Sequence, residues 1–157
     1  MKTFLITLVL SLFSILGNTQ ELSFFEIKTN KIEPEIISLI PISRINPNAN
    51  DKVGEVKIIR QGIEIGKKIS NIAKQTLIPD KIPAKIQKMS YYDIYFDKNK
   101  NIMKIIFTVN KNILEYTTEK QWIDCYNQIK AINLKNYIEI INKDNFDFSF
   151  ISGSLFE

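Results

Sequence analysis

The sequence predicts an α+β protein: an antiparallel hairpin and a further strand packed against two helices, with a β-rich segment ahead of them. Three patterns carry that prediction. In residues 90–110 apolar side chains alternate with polar ones on either side of a polar turn, the period of half-buried strands. From Ile65 the period lengthens to that of a helix, with Ile65, Ile69, Ile72, Ala73 and Leu77 on one stripe. A second helical stripe, Trp122, Cys125, Tyr126, Ile129 and Ile132, follows a capping sequence at Thr118.

Taken in chain order, the first feature is an address. Lys2 supplies a short positive region, and residues 3–16 (TFLITLVLSLFSIL) are uncharged and apolar, with Gly17-Asn18-Thr19 behind them. This is the form of an export signal spanning residues 1–19, with the mature chain starting near Gln20. The apolar run is shorter than the roughly 20 residues a membrane span requires, which favours cleavage over a retained anchor. No cysteine follows it, which excludes a lipoprotein anchor. A periplasmic or secreted protein follows, with no stable membrane insertion after the signal is removed.

Residues 20–64 form the β-rich segment. Residues 21–28 (ELSFFEIK) read as a strand. Residues 35–45 are apolar, but Pro41 demotes them to an edge strand or irregular segment. Residues 46–51 (NPNAND) are the plainest loop, and residues 53–61 read as another strand.

Residues 65–157 read as an α-β-β-α-β unit. Lys67, Lys68, Asn71 and Lys74 lie off the isoleucine stripe of its first helix, and Pro79 and Pro83 stop that helix. A basic amphipathic helix can lie on an anionic membrane. This stripe is narrow and has no Trp or Phe, which favours a surface helix with its isoleucines in the core. A hairpin turning at Asn99-Lys100 pairs residues whose numbers sum to 199, setting Phe96 against Met103, Ile94 against Ile105 and Tyr92 against Phe107. A one-residue slip would mismatch both faces, so the register is strongly specified. The opposite face pairs Tyr95 with Lys104 and Asp93 with Ile106. In the second helix, Thr118 and Gln121 fit a capping box. Residues 133–142 (NLKNYIEIIN) suit either a continued helix or a strand. Phe146, Phe148 and Phe150 alternate with Asp147 and Ser149 as a final strand before Ser152-Gly153-Ser154.

The succession of helix, strand, Asp97-Lys98-Asn99-Lys100-Asn101 turn, strand, Asn112-Ile113-Leu114, helix and Phe146–Phe150 strand resembles the C-terminal domain of TonB-type energy transducers, in particular the small exported TonB-C-like proteins of Bacteroidetes. The resemblance covers about the last 90 residues. It implies a three-stranded sheet with two helices that acts by lending a sheet edge to a partner strand. The energy-coupling role of the transducers does not transfer with it.

Composition narrows the function. The net charge is +4, with lysines spread along the chain and only Arg44 and Arg60 as arginines. Nucleic-acid binders cluster their basic residues, commonly with arginine, so no nucleic-acid partner is expected. There is no histidine, which removes Ser-His-Asp and Cys-His catalysis and histidine-bound zinc. Cys125 is the one cysteine and sits on an apolar helical stripe, so it reads as an inert buried thiol. Asp93 and Asp97 on one strand face lie about 13 Å apart at strand rise, too far for a retaining carboxylate pair at about 5 Å. Ser70 with Lys67 or Lys74 has the spacing of a Ser-Lys dyad, but such pairs arise on any polar helix face. Asp97, Asn99 and Asn101 alternate like calcium ligands, yet no glycine or closing glutamate sits at the required distance, so they read as a turn.

No catalytic, cofactor-binding or metal site emerges, and no cofactor is expected. The reading that remains is an exported, non-enzymatic interaction module of the cell envelope. Its candidate partner-binding face is Tyr91, Asp93, Tyr95 and Lys104, and its partner another envelope protein. The alternative is a hydrolase acting on an envelope or extracellular glycan through carboxylates gathered from distant segments, such as Glu35, Asp93 and Glu139.

Overall fold

The hairpin organises everything around it. In the computed structural model, which describes residues 24–42, 52–58, 62–141 and 146–156, it consists of β4 (Tyr91–Phe96) and β5 (Ile102–Asn110). The strands ahead of it are β1 (Phe25–Thr29), β2 (Ile36–Pro41) and β3 (Val56–Ile58), and those after it are β6 (Ile138–Ile140) and β7 (Ser149–Ser154). The helices are α1 (Gly62–Leu77), the single turn α2 (Ala84–Gln87) and α3 (Glu119–Lys130). One antiparallel sheet runs β1-β2-β5-β4-β7, and a second, smaller sheet pairs β3 with β6. The fold is α+β. The export signal, the loop at residues 46–51 and the end of the 53–61 strand lie outside the described residues.

The hairpin register holds from Tyr91↔Thr108 to Tyr95↔Lys104. It then shifts by one, so that Phe96 faces Ile102 rather than Met103. The turn explains the shift. Lys100 N–H donates to Asp97 O at 2.8 Å, and Asp97 N–H to Asn101 O at 3.1 Å. Asp97 Oδ1 accepts from the N–H groups of Asn99 (2.8 Å) and Asn101 (2.9 Å). Lys100 occupies the left-handed region at φ 66°, the usual place of a glycine. A tight turn closed by a left-handed residue inserts one extra residue into the ladder, so the turn centres on Lys98-Asn99 and the strands leave it bulged.

Residues 24–41, read from sequence as part of a segment ahead of the α-β-β-α-β unit, extend the unit's own sheet. β2 lies between β1 and β5, paired from Ile36↔Asn110 to Leu39↔Phe107. It is therefore an inner strand, not the edge that Pro41 suggested. Ile42 N–H donates to Phe24 O, so in an alternating ladder the nitrogen of Pro41 faces away from β1. The pairing with β5 has ended by then at Leu39, and the missing donor breaks no ladder bond. Where the transducer resemblance implies a sheet of three strands, this sheet has five.

The ambiguous stretch 133–142 resolves into a 3-10 turn at Leu134–Asn136 and the strand β6. The last strand is displaced from its expected position. It runs through Ser152-Gly153-Ser154, and its inward residues are Ser149, Ile151 and Gly153, opposite Phe96, Ile94 and Tyr92. The glycine is needed where it stands, because a Cβ there would come within 2.5 Å of Tyr92 Oη. Phe146 and Phe148 precede the strand, where the chain runs parallel to Val53 instead: Gly54 N–H donates to Phe148 O, and Ser149 Oγ to Gly54 O.

The core lies between the sheet and the two long helices. Ile65, Ile69, Ile72, Ala73 and Leu77 of α1 are all buried, as the stripe predicts, and face the helix α3 rather than a membrane surface. The capping box forms as read, with Thr118 and Gln121 bonding each other's backbone. The indole of Trp122 packs on Phe107 with ring centres 5.1 Å apart, and its Nε1–H donates to Thr117 Oγ1 at 2.9 Å. One turn along the same stripe, Phe24 and Phe25 bring the start of β1 against Tyr126. Leu39, Ile94, Phe96, Ile105, Phe107, Cys125 and Ile129 are excluded from solvent. Among the described residues no helix is long and apolar enough to cross a membrane.

Candidate interaction face

The face of the sheet turned away from the helices carries the alternate residues of each strand. Tyr91, Asp93 and Tyr95 of β4 stand there in a row, with Thr108, Ile106 and Lys104 of β5 on one side and Ser154, Ser152 and Phe150 of β7 on the other. The strand pairing thus brings all four expected residues, Tyr91, Asp93, Tyr95 and Lys104, onto one face. Their exposure differs. Tyr91 is half exposed, Asp93 and Tyr95 are partly covered, and Lys104 is buried at 3%.

The burial of Lys104 sets it apart from the other three residues of the expected partner-binding face. An isolated hairpin would leave β5 at an edge. The two strands β2 and β1 make β5 interior, and Lys104 shares its surroundings with Glu26 and Lys28 of β1. Burial draws its ammonium below the ordinary lysine value, the charge of Lys28 adds to that, and Glu26 opposes it. Lys104 therefore serves as part of the packing of this face, not as an extended contact.

The β4–β7 side of the face is aromatic. Tyr95 stacks on Phe150 with centroids 5.7 Å apart and an interplanar angle of 29°, and Phe148 lies 5.6 Å from Tyr95 on a tilt. Phe150 is 46% exposed. Burial, aided by the charge of Asp93, raises the phenol of Tyr95 above its usual range, so it is a neutral hydrogen-bonding group at any physiological pH. Ser152 Oγ donates to Asp93 Oδ1 across the strand pair. Phe150 and Ser152 belong to the face as well; the sequence pattern puts Phe150 in the last strand but ends that strand before Ser152. Continuing the alternation through Ile151, Gly153 and Leu155 would have placed Ser152.

The chemistry on offer is apolar stacking surface beside a few hydrogen-bonding groups, next to an open strand edge. β7 ends the sheet, and beyond Ser149 no described strand pairs with its outer side. Leu155 N–H turns inward to Ser90 O, so by alternation the N–H groups of Phe150, Ser152 and Ser154 turn outward.

The residues of the hydrolase reading are on separate elements. Asp93 lies mid-sheet between Ile106 and Ser152, Glu139 lies opposite Lys57 in the small sheet, and Glu35 leads into β2, its carbonyl accepting from Lys111 N–H. Ser70 is buried, whereas Lys67 and Lys74 are exposed. No three acid, histidine or cysteine side chains among the described residues come together to hold a metal. Cys125 is fully buried, and burial pushes its thiol up to about 12, against a hydrogen bond from Thr76 that draws it down.

Neither a family model nor a curated protein matches the chain. Among solved structures, a DUF5043 family protein from Bacteroides uniformis ATCC 8492 has a similar fold, with a TM-score of 0.54 at 8% identity. The match covers 85% of this chain and 87% of that one. At that identity the likeness is one of architecture, and it extends over both the residues ahead of the hairpin and those after it.

Proposed function

We propose that this chain is an exported, non-enzymatic protein-interaction module of the cell envelope that pairs an extended segment of another envelope protein along β7. The observation that carries the reading is the contrast between the two sheet edges. β1 presents Glu26 and Lys28, charges of the kind that blunt an edge against further pairing. From Phe150 to Ser154 β7 carries no charge and borders the Tyr91, Tyr95 and Phe150 surface. Backbone groups at an edge supply affinity for an added strand, and neighbouring side chains supply specificity. Tyrosine and phenylalanine are enriched at protein interfaces for the area they bury. The apolar N-terminal run supports export, and the single buried thiol suits a core that needs no disulfide.

A photo-crosslinking residue placed at Phe150 in the native host tests this. Position 150 should give a discrete adduct in the envelope fraction, and Lys67, exposed on α1, should give none. Ser152→Pro removes an outward N–H without breaking the ladder to β4 and should abolish the adduct, whereas Ser152→Ala should retain it. Equal labelling from positions 67 and 150, or an adduct that survives Ser152→Pro, rejects pairing at this edge.

A further inference from the structure

Away from the sheet edge, the hairpin turn, the end of α3 and the turn ahead of β6 enclose a cleft of about 360 Å³. Lys100, Lys130 and Lys135 line it with Asn101 and Asn133, and Ile102 and Ile132 supply its apolar part. No carboxylate is among its lining residues. The ion pairs formed among the described residues are Lys28 with Glu26 and Lys120 with Asp124, so none of the three cleft lysines has a carboxylate partner. The nearest acid along the chain, Asp97, is taken up by its own turn: Oδ1 accepts from two backbone N–H groups and Oδ2 from Asn101 Nδ2.

We infer that this cleft binds a compact phosphorylated ligand, of the size of a sugar phosphate or diphosphate. Three like charges from three separate elements repel one another around a concavity, and an anion between them relieves that repulsion. Two of the three are already held. Lys100 Nζ donates to Ile138 O at 2.7 Å, leaving two protons, and Lys130 Nζ sits 5.5 Å above the Tyr126 ring. Ordering these cations in advance lowers the entropy lost on binding. Asn133 Oδ1 accepts from Lys135 N–H, which leaves the Asn133 side-chain amide as a further donor. Lysines without arginine form point-charge contacts suited to phosphate oxygens rather than the planar fork that grips a carboxylate. The volume falls within the range of small-molecule sites, and the isoleucines accommodate the carbon part of such a ligand.

The test is a titration of the purified protein with sodium pyrophosphate and, separately, glucose 1-phosphate, followed by backbone amide NMR shifts at constant ionic strength. Saturable shifts confined to residues 100–102 and 130–135 are expected, with glucose giving none. Lys130→Gln combined with Lys135→Gln, both at exposed positions, should weaken binding by about tenfold or more while leaving the remaining spectrum in place. Shifts that match sodium chloride, or that persist unchanged in the double variant, overturn the assignment. Co-sedimentation with phosphatidylglycerol vesicles without a response to either soluble phosphate also overturns it, because the site would then read a membrane surface.

Discussion

The two faces of the main sheet are written by one alternation on the same strands, yet they end in opposite states. On β4, Tyr92, Ile94 and Phe96 are sealed under the helices, while Tyr91, Asp93 and Tyr95 stay wholly or partly open. On β5 the same split fails at Lys104 and Asn110, outward residues nearly as buried as those facing the helices. Alternation assigns side chains to faces. What lies beside and over each face decides whether that face is dry, and those neighbours come from other parts of the chain.

The difference predicts unequal tolerance of charge. Ile105→Asp sets a carboxylate in the closed core without a counter-charge, at a cost of several kcal/mol. A domain of this size has about 5–15 kcal/mol in all, so the variant should be largely unfolded by circular dichroism. Lys104→Asp, one residue away, should cost about 2 kcal/mol or more, because a buried carboxylate replaces an ammonium near Glu26. Phe150→Asp should cost about 1 kcal/mol, chiefly the lost stacking on Tyr95. If Lys104→Asp proves as harmless as a surface change, β5 is not an interior strand.

Cys125 sharpens the comparison through pH. Its folded value, about 12, lies above the ordinary 9.0 because burial disfavours the thiolate. The folded state keeps the proton that the unfolded chain loses above pH 9. The stabilisation is therefore complete below pH 9 and is lost as pH rises toward 12. Denaturant unfolding at pH 8 and pH 10.5 should show wild type losing about 2 kcal/mol more than Cys125→Ala over that interval. Equal losses would mean that the thiol is open to water on the α3 side of the sheet.

The parts legible in the sequence are those whose contacts are local. The isoleucine stripe of α1, the Thr118–Gln121 cap and five of the six hairpin pairs each depend on residues within one or two turns or across one short loop. The partner-face residues were legible as a face for the same reason. The interior place of β2, the burial of Lys104 and the β3–β6 pair depend on residues roughly 70 or more positions apart, and no period within a segment reports them. Phe148 and Ser149 are both buried because the chain changes partners between them, from Val53 to β4, and a strict alternation breaks at such a point.

Gly153→Ala tests the inner face on a smaller scale. The added methyl would meet the buried Tyr92 ring, whose hydroxyl has little room to retreat, so a loss of about 1–3 kcal/mol is expected from thermal unfolding. A neutral outcome would show that β7 stands farther from β4 than the register requires.

The smallest effect is at the turn, where two opposed terms meet in Lys100. Its left-handed backbone costs about 1 kcal/mol for a residue with a Cβ, and Lys100→Gly relieves that cost. The same change removes the charge-assisted bond from Nζ to Ile138 O, which ties the hairpin of the large sheet to β6 of the small one and contributes about 1 kcal/mol or somewhat more. The glycine variant should therefore unfold within about 0.5 kcal/mol of wild type. Lys100→Met separates the terms, since it retains the strained backbone and loses only the bond, and it should be less stable than the glycine variant by about 1 kcal/mol. Should methionine and glycine unfold alike, the left-handed position carries no strain, and the turn rests on Asp97 and its backbone donors alone.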